Sequence, residues 1–98
     1  MEIGRIKKKQ IRVEIGDVYL RKDNWGDTVD FFEVIDINAI SKAITIYQER
    51  YNSETILPFQ KFVDRITLPM CNKVGKMVEE KSLFGLIKKK VFKKIYEG

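Results

Sequence analysis

Residues 29–37 read VDFFEVIDI, a nine-residue run that is rich in aromatic and β-branched side chains. Side chains of these types are enriched in β-strands. A polar loop at residues 22–27 precedes the run, and Asn38 follows it. Asn, Asp and Gly in such positions are typical of turns. The stretch therefore predicts a strand, and the segments before and after it are considered as strands that could pair with it.

The segments on either side of this run have the patterns of further short strands. Residues 11–15 and 43–50 alternate apolar and polar side chains at a period of two, which is typical of half-buried strands. Shorter strands are predicted at residues 18–21, 55–57 and 65–68. Between the last two, residues 58–63 favour a single helical turn. Pro58 suits the first helical position, and Phe59, Phe62 and Val63 fall on one side of the turn.

Five or six short strands with one helical turn before the last predict a small curled barrel. Residues 12–68 resemble the SH3-like small barrels, in which an opening strand such as Gly16-Asp17-Val18-Tyr19 leads into a long bent hairpin. The stretch is also similar to small proteins carried by phages and mobile elements of Gram-positive bacteria. The resemblance implies a fold and does not fix a function. We predict a mainly β protein with a basic arm at residues 1–10, an SH3-like barrel at 11–69 and a lysine-rich helical extension at 70–98.

The C-terminal extension has the spacing of an amphipathic helix. Apolar residues recur every three or four positions, at Val74, Met77, Val78, Phe84, Ile87, Val91 and Ile95. Ser82 can cap a second helix that runs to Tyr96. Gly75 and Gly85 each weaken a helix by up to about 1 kcal/mol relative to alanine. A short hairpin through residues 84–86 is therefore the alternative, although the spacing favours a helix.

The composition argues against enzymatic activity. The chain has 98 residues, no histidine and a single cysteine, Cys71. A histidine-dependent triad, an imidazole metal site, a zinc cluster and an internal disulfide cannot be built from such a chain alone. The carboxylates between Asp23 and Asp36 do not match the spacing of a calcium-binding loop. We expect no catalytic residues, no metal and no cofactor.

The sequence also indicates a compartment. The N-terminal residues carry charge without a following apolar segment, which is not the pattern of a secretory signal. The apolar stretches are short, whereas a transmembrane helix needs about 20 apolar residues. A lone thiol is typical of the reducing cytosol. We expect a cytoplasmic protein, located in a bacterial host cell if the phage resemblance is followed.

The formal charge of +5 is distributed unevenly along the chain. Residues 1–12 carry +4, residues 13–68 carry −4 and residues 69–98 carry +5. Lysines clustered at the two ends are candidates for nucleic-acid binding, because neutralised phosphates release counterions. These candidates are Lys7, Lys8, Lys9, Lys88, Lys89, Lys90, Lys93 and Lys94. The same lysines could instead form a solvated face, a frayed end or a surface for an anionic membrane.

Aromatic residues near the predicted loops form a second candidate surface, for a partner protein. Tyr19, Trp25, Tyr47 and Tyr51, with the neighbouring Asp27, can make a patch that holds a peptide or stacks bases. Trp25 alternatively folds over the barrel mouth as a plug. In the predicted helix, Phe84, Ile87 and Val91 belong to the apolar face that would dock on a partner.

These patterns favour a protein-interaction module over a nucleic-acid-binding module. An acidic barrel is poorly suited to a polyanion, and the apolar face of the predicted helix needs a protein surface to cover it. With the resemblance, they predict a non-enzymatic phage or mobile-element effector that binds and modulates a host protein. The alternative is a nucleic-acid-binding module that uses the basic ends and an aromatic barrel face. A homodimer through the C-terminal segment is a further partner prediction, and we expect no membrane partner.

Overall fold

A computed structural model describes residues 1–6, 9–81 and 88–94, with the backbone alone described at residues 5, 6, 9, 80, 81, 88 and 89. The strands are β1 (Glu2–Ile6), β2 (Lys9–Arg12), β3 (Asp17–Lys22), β4 (Thr28–Asn38), β5 (Ala43–Gln48), β6 (Ser53–Pro58), β7 (Cys71–Lys81) and β8 (Lys88–Lys94). A 3₁₀ turn covers Glu49–Tyr51, and one helix, α1, covers Phe59–Ile66. The described chain is therefore mainly β, which confirms the predicted fold class at that level. None of its helices has the length and apolar character needed to cross a membrane.

A six-stranded antiparallel sheet organises the fold, in the order β6-β5-β4-β3-β7-β8. The predicted strand at residues 29–37 is β4, which pairs with β3 and β5. Successive residues of a strand point to opposite faces. In β4, Phe32 and Val34 are buried on one face, whereas Phe31 and Glu33 are half-buried on the other. The first face becomes the main core of the protein.

Helix α1 and the β1–β2 hairpin cover this first face. Phe62 and Val63 of α1 are buried, as their positions three and four residues after Phe59 predict. Ile3 of β1 and Val13 after β2 join the same buried cluster. Residues 1–10, predicted as a basic arm, thus include a hairpin strand that contributes to the core.

Three aromatic rings lie at the centre of this core. Tyr19 stacks on Phe32 with ring centroids 5.4 Å apart, and Phe62 meets these rings edge-on at 5.7 and 6.3 Å. Stacked and edge-to-face pairs of this kind add stability beyond the apolar area that they bury. Burial also raises the pKa of the Tyr19 hydroxyl above its ordinary value, since ionisation would place a charge in an apolar environment.

The β7–β8 hairpin covers part of the second face. β7 pairs with β3 only through residues 71–76 and continues with β8 alone. A register shift in the β3–β7 pair bends β7, because bulges increase local twist. The ring centroid of Phe92 in β8 consequently lies 6.5 Å from that of Phe31 in β4. Gly75 permits this approach, since a Cβ atom there would lie 2.4 Å from the Phe92 ring.

The predicted C-terminal helix is wrong, because the described part of residues 70–98 forms the β7–β8 hairpin. The edge of β3 offers backbone hydrogen-bonding partners to residues 71–76, and no local pattern reveals such a long-range partner. β-Branched Val74, Val78 and Val91 also suit a strand. Pairing of Lys81 with Lys88 agrees with the alternative hairpin. Its predicted turn at residues 84–86 lies outside the described residues.

Other predicted details also differ from the structure. Of the strand predicted at residues 11–15, only Ile11 and Arg12 lie in β2, and the chain turns toward β3 after them. Residues 65–68, predicted as the last strand, end α1 and form the turn after it, because the Thr67 hydroxyl donates to the Val63 carbonyl at 2.8 Å. The sheet does not close into a barrel. In the described part of the chain, β6 and β8 are its two edges and do not pair with each other.

Candidate functional site

A cleft of about 700 Å³ opens between α1, the 3₁₀ turn and the base of the β3–β4 hairpin. Four cationic side chains line it: Arg21, Arg50, Lys61 and Arg65. We call this site the arginine cleft. Residues 13–68 contain six basic residues, so most of the positive charge of this acidic segment is gathered in one place. Two carboxylates, Asp30 and Asp64, also line the cleft, so the formal net charge of the lining side chains is +2.

Strand pairing and helical periodicity bring these cations together. Arg21 of β3 lies opposite Asp30 of β4 in the strand register. Lys61 and Arg65 are four residues apart and therefore share a face of α1. Arg50 comes from the 3₁₀ turn after β5. Each cation thus projects from ordered backbone. Less conformational entropy of the protein is therefore lost when a ligand binds to these side chains.

A buried polar network forms the floor of the cleft. Asp30 accepts hydrogen bonds from Gln48 Nε2 at 3.4 Å and from Arg65 Nη1 at 3.2 Å. Gln48 in turn accepts a hydrogen bond from the Thr55 hydroxyl at 3.2 Å. Asp30 and Gln48 are each 8% exposed. A connected network of this kind holds its members in one arrangement, so Arg65 is fixed over the Phe32 ring, 5.7 Å from its centroid.

Arg50 and Tyr51 form the rim of the cleft. Arg50 Nη1 donates to the Val29 carbonyl at 3.1 Å. Its guanidinium also lies 5.7 Å from the centroid of the Tyr51 ring, within range of a cation–π contact. Tyr51 remains 62% exposed. The rim therefore presents an arginine and a tyrosine to solvent in a fixed relation.

Trp25 lies at the tip of the β3–β4 hairpin and is 85% exposed. The Asp23 carboxylate accepts hydrogen bonds from the backbone N–H groups of Trp25 at 2.9 Å and Asp27 at 3.0 Å. Gly26 has a φ of +83°, a left-handed conformation that glycine adopts without strain. The tip is thus ordered by its own hydrogen bonds, and Trp25 points to solvent and does not plug the core.

The aromatic residues predicted as one patch occupy four places. Tyr19 is buried in the core at 5% exposure. Tyr47 lies on the second face of the sheet, where its hydroxyl donates to Asn52 Oδ1 at 2.5 Å. Tyr51 is at the rim of the arginine cleft, and Trp25 and the exposed Asp27 are at the hairpin tip. Only the hairpin tip and the rim retain the predicted exposure.

The described lysines of the C-terminal segment lie on or beside an edge strand. Lys90 pairs with Glu33 at 3.0 Å, Lys73 pairs with the buried Asp17 at 3.1 Å, and Lys76 pairs with Glu14. The Lys76 ammonium lowers the pKa of the Glu14 carboxyl. Lysines on an edge strand also discourage pairing with other chains. Of the lysines predicted to bind phosphate, Lys90 is therefore committed to an intramolecular ion pair.

The remaining predicted residues divide between described and undescribed parts of the chain. Lys93 and Lys94 are exposed on β8, and Val91 is half-buried opposite Val78. For Lys9, Lys88 and Lys89 the structure gives the backbone position alone. Lys7, Lys8, Phe84 and Ile87 lie outside the described residues.

Cys71 lies at the start of β7, packed against the core cluster. Burial raises the pKa of its thiol, and Arg21 opposes the rise only in part. The reactive thiolate is therefore disfavoured, in agreement with a structural role for this residue. Within the described ranges, no group of three or more cysteine, aspartate and glutamate side chains is arranged to hold a metal ion.

Sequence reasoning missed the arginine cleft. Its cations are separated in sequence, and the segment that contains them has a net negative charge. The i, i+4 spacing of Lys61 and Arg65 was the one local signal available. Comparisons with protein-family models, curated proteins and solved structures find no match to this chain.

Proposed function

We propose that this protein is a non-enzymatic protein-interaction module. In this proposal the docking surface consists of Trp25 at the hairpin tip together with Arg50 and Tyr51 at the rim of the arginine cleft. The observation that carries it is the exposure of a tryptophan and a tyrosine on ordered backbone at one end of the sheet. Tryptophan, tyrosine and arginine are the residue types most enriched among binding hot spots.

The proposal does not depend on a docking helix. The strand order β7-β3-β4-β5-β6, with α1 leading into β7, is compatible with an SH3-like arrangement left open at one side. We take the resemblance to phage and mobile-element proteins as the reason to propose an effector that acts in the cytoplasm of a host cell. Its partner would then be a host protein whose activity it modulates.

Nucleic acid is the second candidate. The exposed Lys94 of β8 favours it, because it adds positive charge at one edge of the sheet. Lys90 contributes less, since Glu33 neutralises it at 3.0 Å. Electrostatic binding to phosphates would weaken steeply with salt, which separates this candidate from a protein partner held by aromatic contacts.

Trp25→Ser tests the protein-interaction proposal. The variant is expected to lose capture of a stoichiometric protein partner from nuclease-treated lysate of cells that contain the protein, because a hot-spot tryptophan commonly contributes about 2 kcal/mol or more to binding. The measurement is affinity capture followed by mass spectrometry, with the unfolding transition of each variant recorded in parallel.

Ile40→Ser is the matched control. Ile40 is 98% exposed in the β4–β5 turn, so its replacement also removes an exposed apolar side chain from a loop. Capture of the same partner by both variants would contradict the proposed surface. Capture that disappears on nuclease treatment would favour the nucleic-acid candidate.

A further inference from the structure

The arginine cleft contains positive charge that the described part of the chain does not neutralise. Arg65 pairs with Asp30 at 3.2 Å. Among the described residues, no carboxylate forms an ion pair with Arg21, Arg50 or Lys61. Asp64, the other carboxylate of the cleft, accepts a hydrogen bond from Gln60 Nε2 at 2.9 Å. An anion that enters the cleft therefore meets three cations without displacing an existing ion pair.

The geometry favours a carboxylate group. Guanidinium groups present planar forks of donors that match the two oxygens of a carboxylate, and such pairs are among the strong hydrogen bonds of proteins. Arg50 is held by the Val29 carbonyl and the Tyr51 ring, while Arg65 is held by Asp30. A volume of about 700 Å³ is ample for one or two side chains of a partner.

The surroundings of the cleft disfavour an extended polyphosphate. Asp23 and Asp27 flank the hairpin tip, Glu49 adjoins Arg50, and Asp64 lies on the cleft wall. At physiological ionic strength, charges repel over a Debye length of about 8 Å, which is close to the dimensions of the cleft. A nucleic-acid strand would pass all of these carboxylates, whereas an isolated anionic side chain would meet only the two that line the cleft, Asp30 and Asp64, of which Asp30 is already paired with Arg65.

We propose that the arginine cleft binds the side-chain carboxylates of an acidic segment on the partner protein. This inference rests on the proposed function, since it supplies the chemistry that the docking surface recognises. Glutamate or aspartate side chains enter between Arg21, Arg50 and Lys61, while the aromatic side chains of Tyr51 at the rim and Trp25 at the hairpin tip contact apolar parts of the same segment.

A peptide titration tests the inference without knowledge of the partner. The probe is an acetylated and amidated decapeptide of alternating glutamate and alanine, so that all of its carboxylates are side-chain groups. Addition to the ¹⁵N-labelled full chain is expected to shift the amide signals of Arg21, Asp30, Arg50 and Arg65. Arg21→Gln and Lys61→Gln are each expected to raise the Kd by about tenfold, the loss typical of one charged hydrogen bond.

Lys22→Gln is the matched control. It removes one positive charge from the residue adjacent to Arg21, outside the cleft. An unchanged Kd for this variant supports the cleft, and an equal loss indicates nonspecific attraction and overturns the inference. Absence of shifts at the cleft with the wild-type chain also overturns it.

Two further titrations distinguish the source of the anion. Inorganic phosphate and a single-stranded oligothymidylate are each added in a separate titration, at the same molar concentration of negative charge as the peptide. Weaker binding of both at the cleft supports a carboxylate site, while tighter binding of the oligonucleotide overturns the inference in favour of nucleic acid. If the peptide fails but Trp25-dependent capture persists, the protein-interaction proposal survives alone. If capture fails but the peptide binds, the carboxylate site survives.

Discussion

Phe32→Ala is expected to lower the free energy of unfolding by about 3–5 kcal/mol, the usual cost of removing a buried phenylalanine side chain. Phe32 is fully buried on β4, stacked on Tyr19 and in edge-on contact with Phe62. The substitution removes both ring contacts and leaves a cavity beneath α1. Since domains of this size are stable by about 5–15 kcal/mol, a large part of the total is lost.

Chemical denaturation followed by circular dichroism measures this effect. Ile56→Ala on β6 is the control, because Ile56 is 70% exposed and its truncation should change stability by no more than about 0.5 kcal/mol. Similar losses in the two variants would mean that β4 does not carry the core. The result would then contradict the burial described for the first face of the sheet.

Gly75→Ala is expected to destabilise the protein by about 1–3 kcal/mol, the usual cost of overpacking a well-packed site. A Cβ atom at this position would lie 2.4 Å from the Phe92 ring and 2.6 Å from the Lys93 carbonyl oxygen. β8 must therefore move away from β7. The sign of the effect is informative, because in a helix the same substitution would stabilise by up to about 1 kcal/mol.

A double-mutant cycle with Phe92→Ala identifies the source of the strain. Removal of the ring opens space for the new methyl group, so the double variant is expected to be more stable than the sum of the single effects predicts. The Lys93 carbonyl still opposes the methyl group, and recovery is therefore partial. A stabilising Gly75→Ala, or strict additivity, would contradict the β7–β8 hairpin.

Local sequence patterns were sufficient to predict the central strands. Residues 29–37 and 43–50 have aromatic, β-branched and alternating apolar residues, and they form the paired strands β4 and β5, except that Glu49 and Arg50 belong to the 3₁₀ turn. The helix also follows from a local pattern, because Phe59, Phe62 and Val63 fall on one side of it. In these segments the local preference and the tertiary environment agree.

The C-terminal segment shows where local patterns fail. Its apolar residues satisfy a helical spacing, yet the edge of β3 binds residues 71–76 as a strand. A partner strand at least 50 positions away in sequence is decisive here, and the intrinsic preference of the segment is secondary. The arginine cleft was missed for the same reason. Arg21, Arg50 and Arg65 become neighbours only through strand register and helix packing.

Site-specific photocrosslinking tests the proposed binding surface most directly. p-Benzoylphenylalanine is incorporated in place of Tyr51 at the cleft rim or, as a control, in place of Ile56 on β6, two positions of similar exposure at 62% and 70%. On irradiation of intact cells, position 51 is expected to form a crosslink to a protein and position 56 is not. A crosslink from position 56 alone, or from position 51 to nucleic acid instead of protein, would contradict the account.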